Sequence, residues 1–345
     1  MTAPCAASYQ VLGGQQATMM LLMNMWRATV DDAPAKELLL NWNHDADSLQ
    51  FWRASSNYVY RFEADGGVSF WLRFVHEADN TIANIEAELH YIEYLNARGY
   101  AAAATVLSRN GRFIETIETE QGRYYGVVFE QAAGNRVQAE QLSADQLTRW
   151  GKSLAQLHLL AELYQPPPKT TARRSWEDII RFITEVLERH PNEAAAASEL
   201  SHVEKWLRAL PNAAGQTGLI HYDFQLDNVF DIGEHEAYSV IDFDDAMYHW
   251  YTMDIAAALA DLDDLDEAQA GHARTLFLQG YQALRPLNPD DLIEQLAGFR
   301  RFSKLYSFAR LLRCTEGLEL ANAPDWLVGL HQKVLAWCSR MRQGF

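Results

Sequence analysis

The 345-residue chain is 48% hydrophobic and carries a formal charge of −17 at pH 7. That apolar content allows one large domain or two modest ones with proper cores, while the acidic balance argues against nucleic acid or an anionic membrane as a partner. Cys5, Cys314 and Cys338 are widely spaced and form no metal-type pair, which argues against a disulfide framework or a zinc site and favours a reducing, cytoplasmic location.

Residues 1–47 are predicted to form an N-terminal extension with one helix. Residues 19–26 are apolar, but they lack a basic region before them and are too short to span a bilayer. An upstream start codon or a loosely docked helix explains them better than a secretion signal or a membrane anchor. Residues 34–42 have an apolar face at helical spacing and predict a helix.

Residues 48–133 are predicted to form a small lobe built mainly of strands. Residues 49–51, 57–62 and 68–74 alternate in the β manner, and Asp65-Gly66-Gly67 is a strong hairpin signal between the last two runs. A helix is expected from about Thr81 to Ala97, followed by strands at 112–118 and 124–129. The sequence therefore predicts a five-stranded antiparallel sheet with one long helix.

Residues 134–345 are predicted to form a larger, mostly helical lobe that begins near Gly134. Ser143 and Gln146 can form a capping box that opens a helix ending near Leu163, and His158 on this helix is interpreted as a core histidine. Further helices are expected at 176–188, 192–210, 252–262, 268–284, 289–313 and 323–342. There is no internal repeat or long low-complexity tract.

Two polar motifs flank a predicted hairpin in the segment from Leu219 to Asp245. The first reads His221-Tyr-Asp223, with Asn228 five residues after the aspartate, and the second reads Ile241-Asp242-Phe-Asp-Asp. Residues 229–232 and 238–241 are β-type runs around a polar turn. Such a hairpin would bring Asp223, Asn228 and Asp242 to one place.

These residue types fit phosphoryl transfer. The reaction needs Mg²⁺, which prefers a few hard oxygen ligands, and Asn228 and Asp242 can supply the protein's share. A separate carboxylate must orient the attacking hydroxyl and accept its proton, and Asp223 is the candidate. The Asp-x4-Asn spacing followed by Asp-Phe after a hairpin matches the catalytic and magnesium loops of kinases.

Neighbouring polar residues have simpler interpretations. His221 more plausibly braces the loop through hydrogen bonds than reacts, and Asp231, Asp244 and Asp263 are interpreted as turn formers or helix caps. The acidic run at 261–267 is interpreted as a solvated face, although a polyamine or an aminoglycoside would bind to such a surface.

The ordered motifs resemble the aminoglycoside phosphotransferase and choline kinase-like superfamily, over roughly residues 48–340. The later Tyr251-Thr-Met-Asp254-Ile-Ala is similar to that family's Tyr-Asp-Leu-Ala segment. Eukaryotic-type protein kinases usually have His-Arg-Asp and Asp-Phe-Gly, where this chain has Tyr222 and Asp244. These two differences from the protein-kinase motifs favour the branch of the superfamily that phosphorylates small molecules. Asp254 could cap its own helix, and the resemblance implies that it also braces the catalytic loop.

The resemblance implies roles for residues of the small lobe. Ser55, Ser56 and Asn57 occupy the place of the loop over the ATP phosphates, although no Gly-x-Gly-x-x-Gly motif is present. Arg73 stands where the phosphate-binding Lys is usual, and a solvent-exposed strand position is the alternative. Glu88 is its expected ion-pair partner, with Glu86 as the other candidate.

The end of the last strand is the expected adenine-binding hinge. There a strand runs into a small, polar stretch that ends at Gly134. Backbone groups would bind the base, so the side chains matter less than the carbonyl and N–H directions. The hinge residues are Phe129, Glu130, Gln131 and Ala132.

The sequence therefore predicts an α+β chain with the bilobal protein-kinase-like fold, acting as an ATP- and Mg²⁺-dependent phosphotransferase. The resemblance implies a small hydroxyl-bearing acceptor of the aminoglycoside, homoserine, choline or ethanolamine, or sugar type, and the negative charge would suit a cationic one. Two alternatives stay open: a protein Ser/Thr kinase, for which residues 242–254 leave no room for an activation segment, and a non-catalytic nucleotide-binding regulator. The sequence does not indicate an oligomeric state.

Overall fold

The computed structural model describes residues 20–168, 170–211, 215–233, 238–321 and 323–345. The chain forms a mixed α+β fold with an antiparallel sheet near its N-terminus and a helical region after it, as the sequence predicts. The predicted extension is described only from Met20, so its first 19 residues lie outside the described part. None of the described helices is long and apolar enough to cross a membrane.

The N-terminal sheet has six strands in the described residues, one more than predicted. The order is β1-β2-β3-β6-β4, with β5 also paired to β6, and every pairing is antiparallel. The strands are β1 (Gln50–Ala54), β2 (Tyr58–Ala64), β3 (Val68–His76), β4 (Thr105–Val106), β5 (Glu115–Thr119) and β6 (Gly122–Glu130). The prediction missed β4 because two residues are too short to show an alternating pattern.

Three helices accompany this sheet: α1 (Leu22–Val30), α2 (Ala33–Leu39) and α3 (Ile82–Asn96). The helix predicted at 34–42 ends at Leu39, and a turn follows in which Trp42 donates its indole N–H to the Val106 carbonyl at 3.0 Å. The Thr81 hydroxyl caps α3 by accepting from the Asn84 N–H at 3.2 Å. This cap begins α3 where the sequence predicted it.

The helical region contains seven described helices and five short strands. The helices are α4 (Ala144–Leu163), α5 (Trp176–Arg189), α6 (Ala194–Ala209), α7 (Tyr251–Ala260), α8 (Glu267–Gln282), α9 (Pro289–Cys314) and α10 (Asp325–Arg342). The strands are β7 (Asn135–Arg136), β8 (Thr217–Ile220), β9 (Val229–Asp231), β10 (Tyr238–Val240) and β11 (Met247–Trp250). The predicted hairpin is confirmed as the β9–β10 pair, and its turn residues 234–237 lie outside the described part.

Local signals explain two features of this region. The predicted capping box is confirmed, since Ser143 and Gln146 bond each other's backbone at the start of α4. Helices α4 and α8 cross where Gly151 faces the Phe277 carbonyl and Gly280 faces the Thr148 carbonyl. Any Cβ at either glycine would collide with backbone, so this close crossing requires glycine.

The β8–β11 pair is the element that positions the two motifs. Strand β8 ends at Ile220, directly before His221, and β11 begins at Met247, two residues after Asp245. The antiparallel register pairs Ile220 with Met247. The start of one motif and the end of the other are therefore held side by side, a pairing that the sequence analysis did not identify.

Candidate active site

Asp223 and Asn228 lie in the loop between β8 and β9 and are hydrogen-bonded to each other. The Asn228 side chain, 2% exposed, donates through Nδ2 to Asp223 Oδ2 at 2.8 Å and to the Asp223 carbonyl at 3.0 Å. Since Nδ2 faces Asp223, the amide oxygen of Asn228 is the atom that could bind a metal ion. Asp223 Oδ1 is buried and has no hydrogen-bond partner within the described residues.

Burial raises the pKa of Asp223 well above its usual range. The negative charges of Asp227, Asp242 and Asp245 raise it further, and the Arg310 guanidinium opposes the shift. A raised pKa makes this carboxylate a stronger proton acceptor when it is ionised, which suits a general base. Its unpaired oxygen leaves a place for the proton that such a base would accept.

Asp254 holds the backbone of the loop before Asp223. Its buried carboxylate accepts from the N–H of His221 at 2.8 Å, from that of Tyr222 at 2.5 Å and from His158 Nε2 at 3.0 Å. Tyr222 has a φ of 71°, an unusual value for a bulky residue, and the two hydrogen bonds fix it. Asp254 is thus the brace that the resemblance implied, but it does not cap α7, where no side-chain cap is found.

His221 is structural, as the sequence analysis proposed. Its Nδ1 accepts from the Asp223 N–H at 3.3 Å, which places the proton on Nε2, and Nε2 donates to the Ile241 carbonyl at 3.0 Å. Burial lowers the pKa of His221, so the neutral ring persists near neutral pH. His158 is confirmed as a core histidine, with Nδ1 bonded to the Tyr281 hydroxyl at 2.8 Å.

The second motif is tied to the first at Asp242. The Ile241 N–H donates to the Asn228 carbonyl at 3.0 Å. Because Asp242 directly follows Ile241, this backbone hydrogen bond holds the two candidate metal-binding residues, Asn228 and Asp242, close together. Asp242 adopts left-handed φ and ψ of 65° and 62°, a conformation that aspartate tolerates better than most residues. Its carboxylate lies 3.0 Å from Arg53 Nη2 and 3.7 Å from Arg73 Nη1.

Arg73 and Glu88 form a bidentate ion pair between β3 and α3. Nη1 and Nη2 of Arg73 donate to the two carboxylate oxygens at 2.8 and 2.7 Å, and Glu88 is 1% exposed. Burial alone would lower the pKa of Arg73, but Glu88 and Asp244 raise it. Glu86, the other candidate, is exposed. The structure therefore pairs Arg73 with Glu88, and Arg73 is not a solvent-exposed strand residue.

The loop of Ser55, Ser56 and Asn57 joins the small lobe to the second motif through Asn57. Its Nδ2 donates to Asp244 Oδ2 at 2.9 Å, and Asn80 donates to the other oxygen of Asp244 at 3.3 Å. Ser55 makes backbone contacts, accepting from the Met20 N–H at 2.6 Å. A phosphate-binding role for this loop remains a prediction, while the assignment of Asp244 as a simple turn former is wrong because its carboxylate bridges two lobes.

The predicted hinge lies at the end of β6. The Phe129 ring packs under the Arg73 guanidinium at 4.8 Å, and the Glu130 N–H donates to the Ala104 carbonyl at 2.9 Å. Gln131 accepts from the Trp71 indole at 2.8 Å and approaches the Ala132 carbonyl at 3.5 Å. These contacts place the predicted hinge beside Arg73, and adenine binding there remains a prediction.

Two positioning residues, Arg173 and Asp261, could not be recognised from the sequence because their partners are far away in the chain. Arg173, buried, donates to the carbonyls of Phe243, Asp244 and Ala246 and to both oxygens of Asn84. It thereby joins the start of α3 to the second motif. Arg173 and Arg174 follow the Pro-rich stretch directly after one another, and their position in the sequence does not indicate these contacts.

Asp261 stabilises the loop that carries Asp223 and Asn228 and is not part of a solvated acidic face. Its carboxylate accepts from the Leu226 N–H at 2.5 Å and from Gln225 Nε2 at 2.8 Å. Burial raises the pKa of Asp261 to about 7. Asp263 is exposed and pairs with Arg274 and Arg300 instead, so the interpretation of the acidic run holds for Asp263 but is wrong for Asp261.

A sheet region followed by a helical region, with Asp223 hydrogen-bonded to Asn228 and Arg73 paired with Glu88, is typical of the kinase-like class of phosphotransferases. The family model described as "Phosphotransferase enzyme family" matches residues 47–287, and the chain belongs to this family. The predicted family and fold class are thereby confirmed. This family places the chain among the small-molecule kinases.

Individual relatives are distant. The chain is 22% identical over 267 residues to amicoumacin kinase of Bacillus subtilis (strain 168), covering 73% of this chain and 76% of that protein. The solved structure of amicoumacin kinase hAmiN with AMP-PNP, Ca²⁺ and Ami superposes with a TM-score of 0.73 at 20% identity, covering 91% and 93% of the two chains. A microcompartment-associated aminopropanol kinase gives 0.62 at 21% identity, covering 90% and 95%.

Proposed function

We propose that this chain transfers the γ-phosphoryl group of ATP, with Mg²⁺, to a hydroxyl group of a small molecule. The observation that supports this most is the hydrogen-bonded group of Asp223, Asn228 and the second motif, which sets an unpaired carboxylate oxygen beside two hard-oxygen residues. The similar hAmiN structure contains AMP-PNP, an ATP analogue, and Ca²⁺. This similarity supports a nucleotide and a divalent cation as the ligands of the chain described here.

The residues present fit Mg²⁺. Asn228 Oδ1 and the Asp242 carboxylate are hard oxygen donors, few in number, which leaves positions for water and phosphate. The Asp242 carboxylate contacts two guanidinium groups, those of Arg53 and Arg73, and Mg²⁺ would take the place of the nearer one, that of Arg53. Bound there, Mg²⁺ would offset the charge that builds on the phosphates during transfer.

The chain's own groups would divide the remaining work. Arg73, held by Glu88, presents positive charge to the phosphates, and Ser55, Ser56 and Asn57 lie in the loop proposed to cover them. Phe129 to Ala132 would bind adenine at the hinge. Asp223 Oδ1 accepts the hydrogen bond of the acceptor hydroxyl and takes its proton as the bond between the hydroxyl oxygen and the γ-phosphorus forms, while the bond from that phosphorus to the β–γ bridging oxygen breaks and ADP leaves.

The Asp223 carboxylate supplies the sharpest test. Asp223→Asn keeps the size of the side chain but removes the base, so the rate of transfer should fall by about 10²–10⁴-fold, while ATP affinity stays close to that of the wild type. Mass spectrometry of the phosphorylated product from a panel of aminoglycosides, amino alcohols and sugars measures the rate, and calorimetry measures ATP binding.

Asp263→Asn is the control, because Asp263 is an exposed aspartate that pairs with Arg274 and Arg300 and not with the groups of the proposed site. Full transfer activity in Asp223→Asn would refute the assigned base. ATP binding without transfer to any acceptor in the wild type would instead support a non-catalytic nucleotide-binding regulator.

A further inference from the structure

Two arginines meet on Asp245, a carboxylate that the transfer chemistry does not use. Arg310 Nη2, on α9, lies 2.6 Å from Asp245 Oδ2, and Arg174 Nη2, just before α5, lies 3.3 Å from Asp245 Oδ1. The Arg310 guanidinium stacks at 4.5 Å on Tyr306, whose ring packs at 5.5 Å on Tyr222. Tyr222 directly precedes Asp223, so we name Arg174, Tyr222, Asp245, Tyr306 and Arg310 the arginine cluster.

Several donors of this cluster are unpaired. Arg310 is 3% exposed, yet its Nε and Nη1 have no hydrogen-bond partner among the described residues, and the same holds for the buried Nε of Arg174. A guanidinium stays protonated and can only donate. Leaving buried N–H groups unpaired is costly, so the arrangement lacks acceptor oxygens.

Asp223 has an unpaired atom of the opposite kind, an acceptor oxygen that lacks a donor. Asp223 Oδ1 is an acceptor without a donor among the described residues, and Asp223 directly follows Tyr222 of the arginine cluster. A ligand that satisfies both needs carries a hydroxyl group for Asp223 and acceptor oxygens for the guanidinium groups. An ammonium group at the guanidinium positions would set donor against donor and positive charge against positive charge.

We infer that the acceptor is a hydroxy acid, whose carboxylate binds the arginine cluster while its hydroxyl group faces Asp223. A carboxylate offers two oxygens with about four lone-pair sites, and it forms charge-assisted pairs with arginine. This inference rests on the proposed function and narrows its acceptor. It replaces the expectation of a cationic substrate with an anionic one. The earlier expectation came from the net charge of the whole chain, whereas the arginine cluster sets the charge where the acceptor is proposed to bind.

Matched pairs of alcohols that differ in the carboxylate test the inference on the full chain. L-homoserine is compared with 3-aminopropan-1-ol, and D-glycerate with glycerol, each with ATP and Mg²⁺, by the amount of phosphorylated product. We expect kcat/KM to be at least about tenfold higher for the carboxylate member of a pair. Melting temperature with each compound, in the presence of ADP, reports binding without transfer.

Variants separate the arginine cluster from general effects. Arg310→Gln and Arg174→Gln should raise KM for the hydroxy acid and remove the preference, and Arg310→Lys should restore part of it. The Arg174 side chain is 39% exposed, so Arg174→Gln should disturb folding less than Arg310→Gln. It can therefore test the inference if Arg310→Gln does not fold. Arg313→Gln is the matched control, one turn along α9 and paired with Asp79 at 3.1 Å, and it should keep the preference.

The outcomes are distinct. Transfer that is equal or faster for the carboxylate-free partners, and indifferent to Arg310, overturns the inference while the phosphotransferase activity stands. Arg310-dependent stabilisation by a hydroxy acid without any product supports the arginine cluster and overturns the proposed transfer. No binding and no transfer with either hydroxy acid also overturns the inference.

Discussion

The proposed nucleotide side and the proposed acceptor side of the site differ in how completely their charged groups are paired. On the proposed nucleotide side, Arg73 is held by both oxygens of Glu88, and Asp244 accepts from two asparagines. On the proposed acceptor side, Arg310 and Asp223 keep buried polar atoms without partners in the described residues. The protein thus supplies the partners on one side and leaves them to a ligand on the other.

The difference has an energetic meaning. A bidentate pair keeps a phosphate-binding cation in one orientation, so little ordering is needed when the nucleotide binds. An unpaired buried donor or acceptor costs about 1–3 kcal/mol in the unbound chain, and a matching ligand recovers that free energy. The nucleotide side is therefore organised for stability, and the acceptor side for selectivity.

Breaking the paired side should give the largest effect on folding. Glu88→Gln removes the charge that compensates the buried Arg73 guanidinium, and breaking such a pair costs about 3–5 kcal/mol. Chemical denaturation measures the free energy of unfolding. Glu86→Gln, an exposed position on the same helix, should change it by less than about 0.5 kcal/mol. Equal losses in both variants would show that the Arg73–Glu88 pair has no special weight.

Asp242 sharpens the comparison because it contacts arginines on the nucleotide side and is also the proposed metal-binding carboxylate. Asp242→Ala should weaken binding of Mg·ATP by about tenfold or more, or at least about 1.4 kcal/mol, while binding of metal-free ATP changes little. Calorimetry with Mg²⁺ and with a chelator measures both affinities. Asp264→Ala, at an exposed acidic residue, is the control. An unchanged Mg·ATP affinity would remove Asp242 from the metal site.

Asp261 tests the support of the catalytic loop with the smallest expected effect. Its pKa is about 7 in the folded chain and about 3.9 in an unfolded one. Between these values the folded carboxyl holds its proton while the unfolded one has lost it, so this group's contribution to stability falls as pH rises towards 7. Asp261→Asn removes that dependence.

The melting temperature of the wild type minus that of Asp261→Asn should therefore decrease between about pH 5 and pH 7. Asp263→Asn, at the exposed neighbouring aspartate, should show no such trend. A difference that stays constant with pH would mean that Asp261 is already ionised in the folded chain.

Local patterns were sufficient for much of this fold. The Asp65-Gly66-Gly67 hairpin, the Thr81 start of α3 and the Ser143 capping box each depend on residues within a few positions of one another. Elements with little local pattern were missed, among them the two-residue β4 and the β8–β11 pair. Pairing between strands far apart in the chain leaves no spacing that can be recognised in the sequence.

The same distinction holds at the candidate site. The motifs in the sequence were sufficient to predict the family and the candidate residues Asp223, Asn228 and Asp242, because chemistry of this kind needs certain residue types at set spacing. The folded structure was needed to show that Glu88 and not Glu86 pairs with Arg73, and that Arg310 contacts Asp245, 65 residues away in the chain. Which charges meet depends on how the elements pack, and burial then sets how strongly each charge must be compensated.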